Sequence, residues 1–251
     1  MFADVVDLRE FYNGRLGQVA RRMLVRRIRA IWPELSGMRL MGLGYATPYL
    51  RPFLGDAERV MALMPAAQGV LRWPHEGPNQ VVLADESELP LPDFSIDRVL
   101  LVHGLEFSEQ VRPLLKEVWR VLAGGGRVLV VVPNRRGIWA RIDGTPFGQG
   151  YPYTTRQLSR LLREENFTPE RNAGALYMPP TRHRILLRSA GVFEGIGGRW
   201  FGTVAGVVMV EATKEIYARP VAVPKRKKRS VLLPMPGAPS PVGHRRKTSA
   251  A

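Results

Sequence analysis

Short apolar runs alternate with amphipathic patterns along most of the 251-residue chain. The apolar runs lie at about residues 38–42, 58–65, 79–85, 96–104, 127–133 and 203–213. Apolar side chains recur at helical spacing in residues 16–32, 109–122 and 154–167. Buried parallel strands are continuously apolar, and helices that cover both faces of the sheet separate them. The pattern therefore predicts an α/β fold with a mostly parallel sheet.

Capping and breaking residues predict where three helices begin or end. Thr47 is expected to be the N-cap of a short helix after the first strand, with Pro48 at the first helical position. Thr154 or Thr155 is expected to cap the helix at 154–167. Three glycines at 124–126 are expected to break the helix at 109–122.

Positive charge is concentrated at the end of the chain. The formal net charge is +15, yet residues 1–219 hold 29 Lys and Arg against 22 Asp and Glu. From Pro220 onward there are eight basic residues, six prolines and no acids. This composition predicts a disordered, basic, Pro-rich tail at 219–251, able to make weak contact with polyanions. The rest divides into an N-terminal helical segment at 1–35 and an α/β domain at 36–218.

Composition and termini restrict the class of protein. The absence of cysteine excludes disulfides and thiolate chemistry. The first residues include acids and lack a basic, then apolar, signal sequence, and no apolar stretch is long enough to span a bilayer. We therefore expect a cytoplasmic protein. Its four histidines are scattered, so no metal site is predicted.

A glycine turn follows the first predicted strand. Residues 40–50 read LMGLGYATPYL, in which Gly42 and Gly44 form G-x-G-x-x-T. A dinucleotide-binding turn has a third glycine where Thr47 stands and an acid about 20 residues later. The second apolar run instead ends in Leu63-Met64-Pro65. A nicotinamide or flavin cofactor is therefore disfavoured.

Three segments together resemble class I methyltransferases that use S-adenosylmethionine, in particular the type 11 group. They read ADESELPLPDFSIDRVLLVHGLE (residues 84–106), PLLKEVWRVLAGGGRVLVVVPN (113–134) and YTTRQLSRLLREENF (153–167). The resemblance extends from about residue 38 to 170. It implies a Rossmann-like class I methyltransferase fold, with a mostly parallel seven-stranded sheet and helices on both faces, in the domain at 36–218. It also implies S-adenosylmethionine as cofactor and a small or medium-sized acceptor molecule.

The same resemblance assigns residues to the cofactor site. Asp85 stands where the family has an aspartate near the adenine, and its neighbour Glu86 is expected to assist. The backbone of Gly42 and Gly44 is expected to lie close to the methionine moiety. Tyr45 adds bulk where the family has a small residue, so it either stacks on a ligand or blocks one. The cofactor-binding residues implied are Gly42, Gly44, Tyr45, Asp85 and Glu86.

The first motif departs from the family pattern at three positions. Leu40 replaces an acid that lies two residues before the first glycine, and Ala46 replaces the last glycine of the turn. Met64 stands where the family has the acid that binds both ribose hydroxyls, and a thioether cannot replace a carboxylate in that role. These replacements leave open whether the cofactor still binds.

His103 is the candidate catalytic base. It follows the fourth predicted strand directly, near the expected mouth of the pocket, and imidazole titrates near neutral pH. A histidine hydrogen-bonded within its own loop is the alternative, with Glu106 as a structural partner. Phe11 and Tyr12 either close over the cofactor, as N-terminal aromatic residues do in the family, or simply pack.

Three functions remain open at this point. The first is an active methyltransferase, supported by the retained glycines and Asp85. The second is a catalytically silent binding or scaffold protein with the same fold, supported by the three altered positions. The third is a nucleic-acid-binding protein that uses the arginines of the helix at 16–32 and the basic tail. The sequence identifies neither the acceptor nor the oligomeric state.

Overall fold

A computed structural model describes residues 4–181, 183, 191, 194–195 and 204–216. The helices are α1 (Val5–Asn13), α2 (Arg15–Ile31), α3 (Thr47–Leu50), α4 (Val111–Val121) and α5 (Thr155–Glu164). The strands are β1 (Arg39–Gly44), β2 (Arg59–Pro65), β3 (Val81–Ala84), β4 (Ile96–Val102), β5 (Leu122–Pro133), β6 (Phe167–Ala175) and β7 (Val207–Lys214). The predicted tail at 219–251 lies outside the described residues.

The seven strands form one sheet in the order β3-β2-β1-β4-β5-β7-β6. The first five strands pair in parallel, whereas β7 is antiparallel to both β5 and β6. This arrangement confirms the predicted mostly parallel, seven-stranded sheet. The strand order reverses between β1 and β4, and in open α/β sheets ligands bind in the crevice outside the carboxyl ends at such a reversal.

Alternate residues of the central strands supply two separate cores. Leu40 of β1 and Met64 of β2 pack with α1, α2 and α3 on one face of the sheet. Met41 and Leu43 of β1 pack with α4 and α5 on the other face. Helices thus cover both faces, as predicted, because strands buried on both sides must present apolar side chains in both directions.

A buried carboxylate connects the end of α2 to the sheet. Glu211 of β7 is fully buried, and its Oε1 accepts a hydrogen bond of 2.8 Å from the indole Nε1 of Trp32. The guanidinium of Arg127 lies 3.2 Å from the same oxygen and provides a compensating charge. These contacts hold the N-terminal helices against the face of the sheet on which α1 lies.

The predicted cap of α3 is wrong, whereas the predicted end of α4 lies within one residue of the observed end. Thr47 is the first residue of α3 rather than its cap, since the N-cap is Ala46 and no side chain caps the helix. Helix α4 ends at Val121, before the three glycines. Those glycines lie in an irregular part of β5, where the pairing with β4 shifts between Ile96 and Arg98. Glycine there permits the bulge.

Two other features of the helices and strands bear on the predictions. Thr154 caps α5 in a full capping box with Gln157, which confirms one of the two predicted caps. Strand β6 has no strong sequence pattern, because as an edge strand it presents few buried side chains.

Among the described residues, no helix has the length and apolar character needed to cross a membrane.

Candidate active site

The two glycines of the turn after β1 are required by packing within the protein. Gly44 has φ +78°, and a Cβ there would overlap the carbonyl oxygen of Val102 and lie 2.9 Å from the Cα of Gly104. A Cβ on Gly42 would lie 2.6 Å from Cδ1 of Leu50 in α3. Only glycine therefore allows β1 to approach both the end of β4 and α3 so closely.

Tyr45, the next residue, is buried against the N-terminal helix. Its ring stacks on that of Tyr12 from α1, with ring centroids 5.8 Å apart and planes inclined by 23°. Burial raises the pKa of Tyr45 to about 12, although the positive charges of Arg9 and Arg21 oppose the shift. The bulky side chain of Tyr45 thus packs against Tyr12, an aromatic residue of the protein itself.

His103 lies at the carboxyl end of β4 in a fully buried hydrogen-bond network. Its Nε2 is 2.6 Å from the hydroxyl oxygen of Tyr12, and its Nδ1 is 3.0 Å from Oε1 of Glu106. The hydroxyl of Tyr49 in α3 donates to that of Tyr12 over 2.6 Å. His103 also has φ +50°, a conformation that costs energy in a residue with a Cβ. The network therefore fixes both the backbone and the ring of this histidine.

The order of donors in this network defines the state of the imidazole. Because Tyr12 accepts from Tyr49, its own hydrogen is available for Nε2 of His103. The proton on Nδ1 of His103 is then directed at the Glu106 carboxylate. Burial, together with the proximity of Tyr49, raises the pKa of Tyr12 well above its usual value, so Tyr12 stays protonated. Nε2 of His103 is the acceptor nitrogen, and Tyr12 covers it.

Two buried oxygen atoms beside His103 have no hydrogen-bond partner among the described residues. Gln68 donates its side-chain amide to the carbonyl oxygen of His103, which leaves Gln68 Oε1 without a donor. Glu106 uses Oε1 for His103 and leaves Oε2 without a donor. Buried acceptors are normally satisfied, so these oxygens are suited to a donor from a bound molecule.

Asp85 and Glu86 lie at the carboxyl end of β3. Asp85 is exposed, and its Oδ1 accepts from the backbone N (2.8 Å) and the hydroxyl (2.7 Å) of Ser87. These hydrogen bonds lower the pKa of Asp85, and the bond from the Ser87 hydroxyl makes the larger contribution. Oε1 of Glu86 accepts from the hydroxyl of Ser108 over 2.7 Å, which joins this loop to the one after β4.

The predicted site residues fall into two groups at the same edge of the sheet. Tyr45 and His103 both contact Tyr12, which brings the ends of β1 and β4 together. Asp85 and Glu86 lie farther along, because β2 separates β3 from β1. Leu40 and Met64, which replace acids of the family pattern, are buried in the core on the α1 side.

The sequence predicted some of this network but missed its extent. The spacing of His103 and Glu106 pointed to their contact, whereas nothing in the sequence connected Gln68 or Tyr49 to the histidine. The sequence leaves Tyr12 either closing over the cofactor or simply packing, and the structure shows that its hydroxyl, 91 positions from His103, binds the ring.

Sequence comparisons find similarity to methyltransferases in the central part of the chain. Residues 41–130 match the family model described as a methyltransferase domain. Two proteins from strains of Mycobacterium tuberculosis, each described as a "probable S-adenosylmethionine-dependent methyltransferase", are 32% identical over 108 residues. That segment covers 41% of this chain and 38% of theirs, so the chain matches well under half the length of these relatives.

Structural comparisons identify the fold. A methyltransferase dependent on S-adenosylmethionine from Thermotoga maritima superposes with a TM-score of 0.58 at 17% identity, over 84% of this chain and 96% of that one. The [4+2]-cyclase SpnF superposes with a TM-score of 0.55 at 19% identity, over 80% and 84%. At such low identity the likeness shows a shared fold alone, and the second structure carries a different reaction on it.

Proposed function

We propose that this protein binds S-adenosylmethionine and transfers its methyl group to a small or medium-sized acceptor, since residues 41–130 match a methyltransferase domain model. The observation that carries the proposal is the match to the methyltransferase family model, which extends from β1 into β5. The matched region includes the carboxyl ends of β1 to β4, and the strand order reverses between β1 and β4. Ligands of such sheets bind at this edge.

The polar groups at this edge fit the proposed cofactor. Asp85 keeps Oδ2 available, and the adenosine end of the cofactor offers amino and hydroxyl donors. Gln68 Oε1 and Glu106 Oε2 are buried acceptors, and the methionine end offers an ammonium group. Gly42, Gly44 and Tyr45 would form the wall between these two ends, and Glu86 would support the Asp85 side.

We assign His103 the role of holding the proton lost by the acceptor. When bound, S-adenosylmethionine would supply an electrophilic methyl group on a sulfonium sulfur. Nε2 of His103 is the nitrogen with a free lone pair once the hydroxyl of Tyr12 gives way to an acceptor. The Glu106 carboxylate orients the ring and stabilises the imidazolium through Nδ1. The aromatic ring of Phe147, 5.0 Å from that of His103, helps to exclude water.

Calorimetric titration of the full chain tests cofactor binding. We expect heat of binding with both S-adenosylmethionine and S-adenosylhomocysteine, and weaker binding by about tenfold in Asp85→Asn, because a charged acceptor is lost. Asp143→Asn is the matched control, since Asp143 is also exposed and lies outside the proposed site. The absence of binding at millimolar ligand would contradict the proposal.

A catalytically silent scaffold of the same fold is the second candidate. The observation that favours it is the burial of Leu40 and Met64, apolar residues at positions where the family pattern has acids. A folded chain that gives no heat with either cofactor form would support this candidate. Methylation of any molecule in a cell extract that depends on the added protein and cofactor would exclude it.

A further inference from the structure

A cleft of about 300 Å³ opens beside the glycine turn, on the side of the N-terminal helices. Its walls come from α1, α2, the start of α3 and the loop between β2 and β3. Tyr12 and Tyr45 line it as well, so these stacked rings separate the cleft from His103. Pockets for small molecules range from ~300 to ~1,000 Å³, which places this cleft at the small end.

Four arginines from four different elements line this cleft. They are Arg9 of α1, Arg21 of α2, Arg51 directly after α3, and Arg72 of the loop after β2. No Asp or Glu lines the cleft. Like-charged side chains repel one another, so their convergence raises the affinity of the cleft for an anion.

The four guanidinium groups also lack a carboxylate partner elsewhere. Every Asp and Glu of the chain lies within the described residues, and none makes an ion pair with Arg9, Arg21, Arg51 or Arg72. Arg72 does donate to the carbonyl oxygen of Gly77 over 2.9 Å, a neutral partner that leaves its charge uncompensated.

Two other arginines in the same part of the molecule are paired with carboxylates. Arg29, also of α2, lies 2.6 Å from Oδ2 of Asp56, and Arg39 of β1 lies 2.9 Å from Oδ2 of Asp97. The effect of Arg9 and Arg21 on Tyr45 shows that their field reaches the wall of the cleft. Arg15 and Arg22 of α2 also make no ion pair with a described residue, but they lie outside the cleft, so what distinguishes the cleft is the convergence of four such charges.

We propose that this cleft binds a small phosphorylated molecule with two or more negative charges, such as a diphosphate. Guanidinium groups from several directions suit tetrahedral phosphate oxygens, each of which can accept from more than one donor. Tyr45 borders both this cleft and the proposed cofactor site. The four guanidinium groups repel the positive sulfonium of S-adenosylmethionine, so we assign the cleft to an anion rather than to the cofactor. Its small volume favours a free metabolite-sized ligand over a nucleic acid.

Calorimetry of the full chain with pyrophosphate tests this site. The double variant Arg21→Gln and Arg51→Gln removes two charges from the cleft. We expect its dissociation constant for pyrophosphate to rise about a hundredfold, since each charge-assisted contact is worth about tenfold. The matched control is Arg15→Gln and Arg22→Gln, which removes two charges from exposed positions of α2 outside the cleft. We expect this control to change the constant by less than about threefold.

Four further results decide whether the site exists as proposed. Equal weakening by the two double variants would overturn it, because general positive charge would then explain the binding. Citrate binding as tight as pyrophosphate binding would also overturn it. A parallel titration uses a single-stranded RNA oligonucleotide. If the two double variants change the dissociation constant for RNA equally, the result supports the proposal. Selective loss of RNA binding in the cleft variant, without pyrophosphate binding to the wild type, would instead assign the cleft to nucleic acid.

Discussion

The hydroxyl oxygen of Tyr12 lies 2.6 Å from Nε2 of His103, and both residues are buried. This contact joins the first helix of the chain to the carboxyl end of β4, across 91 positions of sequence. The N-terminal helix thus forms part of the candidate site, because it supplies the group that covers the acceptor nitrogen of the histidine. Any acceptor that uses this nitrogen must displace Tyr12.

Replacing Tyr12 by phenylalanine is expected to destabilise the fold. The variant leaves Nε2 of His103 and the hydroxyl of Tyr49 without their partner in a buried environment, which costs about 1–3 kcal/mol in the free energy of unfolding. Urea unfolding followed by circular dichroism measures the loss. Tyr151→Phe is the control, since Tyr151 is 72% exposed and should be neutral. Equal stability of the two variants would show that the network contributes nothing.

Gly44→Ala is expected to destabilise the protein more severely. The left-handed conformation at φ +78° costs an alanine about 1–2 kcal/mol, and the added Cβ would overlap the end of β4 and force a further backbone shift. Thermal unfolding should show a lowered midpoint or an unfolded chain. Gly55→Ala is the matched control because a Cβ there meets nothing within 4 Å. A stable Gly44→Ala protein would mean that the turn differs from the one described.

Stability is expected to fall at alkaline pH through Tyr45. Its pKa is raised by burial to about 12, so the folded state favours the neutral phenol. This contribution is complete below the unfolded pKa of about 10 and is lost between about pH 10 and pH 12, up to about 2 kcal/mol. Urea unfolding across this range should give a shallower decline for Tyr45→Phe than for the wild type. Parallel curves for the two proteins would contradict the assigned shift.

The sequence predicts the fold well because its signals are local. The apolar runs that become β1 to β5 each bury side chains on both faces, so their pattern requires no knowledge of neighbours. The cap at Thr154 is equally local, since it depends on Gln157 three residues later. In contrast, β6 is an edge strand with mixed burial and produces no pattern of its own.

The candidate site is harder to predict because distant residues form it. His103 is visible as a titratable residue after a strand, but its partner Tyr12 comes from a helix whose position depends on tertiary packing. The four arginines of the cleft come from four different elements. The sequence alone therefore does not show that they lie close together. The sequence indicates that the glycines of the turn open the backbone toward a ligand, and the structure gives them a further role in the contacts with Leu50 and Val102.

The most direct test of the central claim is a crystal structure of the full chain with S-adenosylhomocysteine. We expect the ligand at the carboxyl ends of β1 to β4, with its adenosine beside Asp85 and its amino acid portion beside Gly44 and Glu106. We also expect that Gln68 Oε1 or Glu106 Oε2 gains a donor from the ligand. A ligand bound elsewhere, or in the arginine-lined cleft, would contradict the proposed cofactor site.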